Sequence, residues 1–238
     1  MKILGIEWSS FKRTIAIGDW SPQYGVRVLA EATLPDGRDS KYFNAFETAA
    51  KETGIDKKDI QVVVVGLGPG SYAGIRSAIS AAYGWRLANQ AKLIGISSDR
   101  LIARKVFTQN GTDQVHVLID AQRGECYHSV FQKQQDDSIR TVQPLSIVKP
   151  GQLPQPESSS TVFAGMDVAR WFSEAERPQS SLLECAPDAS ALIVESESLL
   201  NQPGSTTLAP VYLRPTSFAK APLPIISLIE DTSGGDRI

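Results

Sequence analysis

Histidine and cysteine are nearly absent from this chain. Among 238 residues there are two of each: His116 and His128, Cys126 and Cys185. Two widely separated cysteines exclude a disulfide scaffold and a four-cysteine zinc site. The histidines lack the H-x-x-x-H spacing that brings two ligands onto one helical face. No run of about 18 apolar residues is present, so no transmembrane helix is expected. The apolar start is broken by Glu7, too soon for a signal-peptide core of about 7–15 residues. A basic surplus is missing as well. The count is 24 Lys+Arg against 26 Asp+Glu, a net charge of −2, which argues against a stand-alone nucleic-acid binder.

What remains is ordinary globular composition, with 42% hydrophobic and 21% charged residues. That hydrophobic content excludes a disordered chain. The length allows one large domain or two small ones. The expectation is a soluble cytoplasmic protein with no membrane contact.

Alternation of apolar and polar residues predicts three consecutive antiparallel strands: Lys2–Ile6, Arg13–Asp19 and Val26–Thr33. A helix capped by Ser40 follows, with Phe43, Phe46, Ala49 and Ala50 at helical spacing and Gly54 as its stop. The β-branched run Gln61–Val65 reads as a strand buried on both faces. Next come a glycine-rich turn, a small-residue helix over Ile75–Ala91, a strand at Lys92–Ile96 and a helix from Ser98. The turn formers Gln109–Asp113 suggest a domain boundary, after which the strand–turn–strand pattern restarts. Strands are expected at Val115–Asp120, Glu125–Gln132, Thr141–Val148 and Thr161–Gly165. Helices are expected at Asp167–Glu176 and Pro187–Asn201, with a loop at Pro150–Ser160 and a frayed end at Ser233–Ile238.

Several stretches could carry chemistry. In Gly66-Leu67-Gly68-Pro69-Gly70-Ser71-Tyr72-Ala73-Gly74, a strand feeds glycines into a helix N-terminus, a natural anion site. The spacing matches neither the P-loop nor G-x-G-x-x-G, so a structural turn is the competing reading. Glu7-Trp8-Ser9-Ser10 places a carboxylate and hydroxyls at a hairpin tip, where they either approach a metal-bound phosphate or simply form a polar tip. Asp120 is either a second phosphate or magnesium residue or an Asx-turn cap. The two histidines read as packing or surface residues, and neither cysteine has a sequence-adjacent nucleophile partner. Gly84, in mid-helix, costs about 1 kcal/mol against Ala, which predicts a close helix–helix contact within or between chains.

The motifs together resemble the TsaB (YeaZ) family of tRNA threonylcarbamoyladenosine formation. Ile3–Ser10 resembles its I-L-x-I-D-T-S, and Gly68–Arg76 its G-P-G-S-F-T-G-[LI]-R. Ile119–Tyr127 resembles I-D-A-R-x-G-E-V-Y, and Pro210–Arg214 the closing P-x-Y-L-R. Order and spacing hold to about residue 214. Glu7 stands for the usual Asp, Trp8 and Ala73 for Thr, and Ser40-Lys41-Tyr42 lacks the frequent His.

The resemblance implies an α/β, two-lobed actin/sugar-kinase/Hsp70-like ATPase fold with an RNase H-like core in each lobe. The lobes would be residues 1–108 and 109–214, with a tail at 215–238. It implies a non-catalytic partner of the TsaD transferase, joined by the ATPase TsaE, a homodimer when isolated, and touching tRNA only indirectly. Glu7, Ser9, Gly68, Gly70, Ser71 and Asp120 would mark a vestigial phosphate site, with no resident metal and no required cofactor. Contact helices would be Ser40–Thr53 and Ser71–Asn89, with Tyr42, Phe46, Tyr72, Arg76, Ile79, Tyr83 and Arg86 at the interface. The alternative is an autonomous ATP-binding enzyme of the same fold. A glycoprotease-like peptidase is a third association, without a metal pair or nucleophile in the sequence to support it.

Overall fold

The computed structural model describes residues 1–34, 42–154, 161–174, 181–204 and 207–214. The opening strands are β1 (Lys2–Glu7), β2 (Thr14–Ser21) and β3 (Gly25–Thr33). Then follow α1 (Tyr42–Thr53), β4 (Ile60–Gly66), α2 (Tyr72–Asn89), β5 (Lys92–Ile96) and α3 (Ser98–Asn110). The second half contains β6 (Gln114–Asp120), β7 (Cys126–Lys133), β8 (Ile139–Val148), β9 (Val162–Gly165), β10 (Ser181–Glu184) and α4 (Ala189–Glu195).

The strands form two five-stranded sheets, in the orders β3-β2-β1-β4-β5 and β8-β7-β6-β9-β10. These are one topology used twice. In each, the first strand pairs antiparallel with the second and parallel with the fourth. The repeated strand–turn–strand pattern in the sequence is this duplication, and the expected two-lobed α/β fold is present.

Both faces of the first sheet are covered, which is why Val62 to Val65 are uniformly apolar and at most 1% exposed. One face carries Leu4, Ile6, Val63 and Val65 against Ile75 and Ala78 of α2 and Phe46 and Ala49 of α1. The other carries Ile3, Ala16, Val62 and Val64 against Leu192 and Ile193 of α4. On the second sheet, Val115, Val117 and Ile119 meet Ile102, Val106 and Phe107 of α3. The lobes thus exchange helices: α3 follows the first sheet but packs on the second, and α4 does the reverse. The carboxylate of buried Glu195 on α4 accepts from both Arg100 and Arg104 of α3. Lys105 pairs with Asp188, whose side chain also caps α4 through the Ala191 N–H.

Some elements differ from their sequence expectation. The small-residue helix begins at Tyr72, because Ser71 caps it through the Gly74 N–H at 3.2 Å. The helix expected over Asp167–Glu176 is a single 3-10 turn, Val168–Trp171, entered through Asp167 at φ +52°. Its residues Val168 and Trp171 are buried beneath the second sheet. The helix expected over Pro187–Asn201 ends at Glu195, where the Ser196 hydroxyl donates to the Ile193 carbonyl, and a 3-10 turn follows at Glu197–Leu199. Strand β10 was not expected, and a 3-10 turn at Pro150–Gln152 opens the expected loop. Residues 155–160 of that loop and the expected frayed end lie outside the described residues. No helix among the described residues is long and apolar enough to cross a membrane.

Candidate functional site

A cleft of about 560 Å³ opens between the lobes. Ser9, Ser10 and Phe11 line it from the β1–β2 connection, Gly70, Ser71 and Tyr72 from the glycine loop, Asp120 to Gln122 from the β6–β7 turn, and Asp167 and Arg170 from the 3-10 turn. Four expected phosphate-site residues, Ser9, Gly70, Ser71 and Asp120, therefore converge here. Glu7 and Gly68 do not line it.

Glu7 is fully buried. One carboxylate oxygen accepts from the Ser9 N–H at 2.7 Å, the other from the Ser98 hydroxyl at 3.0 Å. Burial raises its pKa above the ordinary carboxylate value, partly opposed by these hydrogen bonds. Gly68 belongs to the same network: its N–H donates to the Ser98 hydroxyl and its carbonyl accepts from the Ser98 N–H. The polar hairpin tip expected for Glu7 is thus corrected. Its side chain turns inward and fastens the start of α3.

The glycine loop packs on the chain itself. The Ser71 N–H, positioned to greet an anion, donates to the Ser9 carbonyl at 2.6 Å. A Cβ on Gly70 would stand 2.2 Å from that same carbonyl oxygen, and one on Gly74 would stand 2.0 Å from the Trp8 carbonyl oxygen. No side chain fits at either position. The glycines let the 8–10 segment lie against the α2 N-terminus, where a phosphate would otherwise be cradled. The Ser71 N–H and the Glu7 carboxylate are thus both engaged within the chain.

Asp120 ends β6 as Glu7 ends β1, yet it stays partly exposed. It accepts from the Gln122 N–H at 2.7 Å, an Asx turn, and pairs with Arg170 at 2.9 Å. Gln122, Arg123 and Gly124 all have φ near the left-handed region, +64°, +60° and +72°. Arg214 secures this turn by donating to the Ala121 carbonyl at 3.1 Å and pairing with Glu125. The segment 207–214 is therefore a strap between the lobes. Its Val211 N–H donates to the Leu67 carbonyl, and the Tyr212 ring stacks on Tyr72, centroids 5.4 Å apart.

The expected histidine roles resolve to packing. His116 Nδ1 and His128 Nε2 lie 3.1 Å apart and the rings stack. Burial lowers both pKa values to about 4, so both are neutral at physiological pH. Cys126 is buried, its thiol pushed up to about 11. Neither feature belongs to a reactive centre. No cluster of three or more metal-ligating side chains occurs among the described residues.

A second concavity, about 790 Å³, runs along α2. Its walls include Ser77, Ser80, Ala81, Gly84 and Ala88 of α2, with Phe43 of α1. Nothing among the described residues comes within 4 Å of a Cβ placed on Gly84. The close contact expected to offset this glycine is therefore not supplied by the described chain. Of the expected interface residues, Tyr72, Arg76 and Arg86 are exposed on α2. Arg76 lies 4.0 Å from the Tyr72 ring centroid. Tyr83 is half-buried, its hydroxyl accepting from the Leu208 N–H. Phe46 and Ile79 need correction. They are 6% and 8% exposed and belong to the first core, with Phe46 tilted against Trp85. Helical spacing reveals a face without saying which side the sheet takes. The Tyr42 side chain lies outside the described residues. Phe43 and Leu87, large apolar residues that are 57% and 86% exposed, were not singled out from the sequence as surface residues. Arg170 was missed at the cleft, and Arg214 at the turn that forms part of its wall. Only the string Pro210–Arg214 pointed toward the latter.

Comparison with known proteins gives these features a setting. Residues 40–163 match the family model described as TsaD: tRNA N6-adenosine threonylcarbamoyltransferase. Over 98 residues the chain is 31% identical to the tRNA threonylcarbamoyladenosine biosynthesis protein TsaB of Escherichia coli (strain K12). That match covers 41% of this chain and 42% of the relative, so the chain spans less than half the length of the curated relative it matches. YeaZ from Pseudomonas aeruginosa is 20% identical with a TM-score of 0.73, covering 89% of this chain and 99% of that one. A crystal structure titled as an uncharacterized protein with similarity to peptidase YEAZ from Pseudomonas aeruginosa gives 20% identity and a TM-score of 0.74. It covers 90% of this chain and 99% of the other. These two likenesses establish the fold. With residues 40–163 of 238 inside the matched pattern, the chain belongs to the family described as TsaD: tRNA N6-adenosine threonylcarbamoyltransferase.

Proposed function

We propose that the chain is a non-catalytic subunit in the formation of threonylcarbamoyladenosine in tRNA, and that its α1–α2 face holds a TsaD-like transferase. The observation that carries this reading is the open groove of α2, where Ser77, Ser80, Gly84 and Ala88 leave a neighbouring backbone room to approach. Exposed Phe43, Leu87 and Tyr72 flank it as anchors. The engaged Ser71 N–H supports the non-catalytic part, since that donor already serves the chain. In this reading a TsaE-like ATPase joins the assembly, the isolated chain pairs with a second copy through the same face, tRNA is touched only indirectly, and the setting is the cytoplasm.

The test has two arms. Co-purification with the TsaD-like transferase of the same organism should give a complex that Gly84→Trp weakens. Deletion should deplete threonylcarbamoyladenosine among tRNA nucleosides measured by mass spectrometry. Absence of a complex together with unchanged tRNA rejects the reading. The alternative, an autonomous ATP-binding enzyme, is favoured by the convergence of Ser9, Gly70, Ser71 and Asp120 on one cleft. It requires a saturable Mg-ATP titration that Asp120→Ala weakens, and a flat titration removes it.

A further inference from the structure

The strap at 207–214 is anchored at each stage as it crosses between the lobes. Leu208 is buried in the first core, and its N–H donates to the Tyr83 hydroxyl at 2.9 Å. The Val211 N–H donates to the Leu67 carbonyl at 2.8 Å. Three residues on, Arg214 Nη2 reaches the Ala121 carbonyl at 3.1 Å and the Gln122 carbonyl at 3.3 Å, and pairs with Glu125. The first two anchors lie in the lobe of the glycine loop. The third lies on the β6–β7 turn, whose residues Asp120 to Gln122 line the cleft.

That turn needs holding. Gln122 and Arg123 are consecutive non-glycine residues at φ +64° and +60°, a conformation that persists only where the surroundings impose it. Inside the turn, the Ala121 N–H donates to the Glu125 carbonyl at 3.0 Å and the Glu125 N–H to the Gln122 carbonyl at 3.2 Å. Arg214 adds a charged donor shared by residues 121, 122 and 125, and bonds of that kind are stronger than neutral ones.

Tyr212, two positions before Arg214, is gripped from α2. Its ring stacks on Tyr72, and its hydroxyl accepts from Arg76 Nε at 3.3 Å. The Arg76 guanidinium lies 4.0 Å from the Tyr72 ring centroid and 5.9 Å from that of Tyr212, within cation–π reach of both. Tyr72 lines the cleft, whereas Arg76 lines the α2 groove. One cation therefore faces the groove and holds the strap.

We propose that residues 207–214 are a latch on the cleft, with Arg214 as its catch on the β6–β7 turn and Arg76 as the residue through which the α2 groove governs it. While Arg76 holds Tyr212, Arg214 is kept over the turn and that wall of the cleft is fixed. Loss of the Arg76 guanidinium from Tyr212, as to a carboxylate entering the groove, frees the strap and loosens the turn. Groove and cleft are thus coupled through a continuous set of contacts. The coupling is a property of the chain itself and does not rest on the transferase reading.

Hydrogen–deuterium exchange of the full chain, read at single amides, tests it. In Arg214→Ala, exchange at the Ala121 and Glu125 amides should rise about tenfold. In Arg76→Ala, which leaves Arg214 and the turn in place, the same amides should rise about threefold. The double variant should match Arg214→Ala alone, because both substitutions open one latch. The Lys133 amide, which donates to the Asp113 carbonyl at the far end of the same hairpin, should not change and separates the latch from a general loss of stability. Turn amides indifferent to either single substitution, multiplied rates in the double variant, or an equal rise at Lys133 each overturn the proposal.

Discussion

Glu7 and Asp120 occupy equivalent places in the two lobes, each closing the first strand of a sheet with the same strand order. Their fates differ because their surroundings do. In the first lobe two full helices cover one sheet face, and the glycine loop presses the 8–10 segment inward, so the carboxylate is swallowed. In the second lobe the corresponding connections include a single 3-10 turn, and Asp120 stays at the cleft wall, held by Arg170. What the second lobe buries instead is the His128 imidazole, stacked on the half-buried His116. Strand order is thus set by the alternation that both halves share, whereas the character of each site is set by the connections that they do not share.

The strongest way to break this contrast is to test the two turns directly. Gly74→Ala would push a Cβ against the Trp8 carbonyl, with backbone on both sides unable to yield. It should cost about 4 kcal/mol or more, at the upper end of single substitutions. Gly124→Ala in the second lobe meets no atom within 4 Å but keeps φ +72°, and should cost about 1 kcal/mol. Urea unfolding curves measure both, and equal losses would erase the asymmetry.

The buried titratable groups should respond to pH with opposite signs. His116 and His128 are held near 4 in the folded chain against 6.5 in the ordinary imidazole. The unfolded chain therefore binds more protons between those values, and stability is full above pH 6.5 and falls toward pH 4. Discounted for partial solvent access, the loss should be about 2 kcal/mol. His116→Gln with His128→Gln should flatten that limb. For Glu7 the folded state holds its proton more tightly than the unfolded one. Its contribution is present at low pH and is lost as pH rises through the raised value. Glu7→Gln should therefore gain on the parent as pH rises from 5 to 8 in chemical denaturation, and a constant gap contradicts the assignment. The smallest effect expected is at Gly84, which sits in a helix interior with open space around it. Gly84→Ala should stabilise the free chain by about 0.5–1 kcal/mol, seen as a raised melting temperature, while weakening partner docking.

Most of this architecture was legible in the sequence. Alternation marked the strands of both hairpins, and Val62–Val65 announced a strand covered on two sides. Strand β10 was hidden because Ser181-Leu182-Leu183-Glu184 sets its two apolar residues side by side and shows no alternation. The apolar spacing of Val168 and Trp171 suits a helix and a 3-10 turn equally, so it was read as the longer element. At the site, the glycine loop was visible as a string, but its partner was not. That the Ser71 N–H meets the Ser9 carbonyl is a contact across 62 positions, which no local period encodes. The same holds for Arg214 reaching Ala121.

The exchange of α3 and α4 has a consequence for what can happen to such a chain. Each sheet borrows one of its covers from the other half, and Glu195 with Arg100 and Arg104 ties the borrowed pieces together. Severed after Asn110, the first half would expose Ile3, Ala16, Val62 and Val64 to water, and the second would lose the helix over Val115 and Val117. The cleft can be rewritten residue by residue. Neither half can be discarded or traded for a stranger without undressing the one that stays.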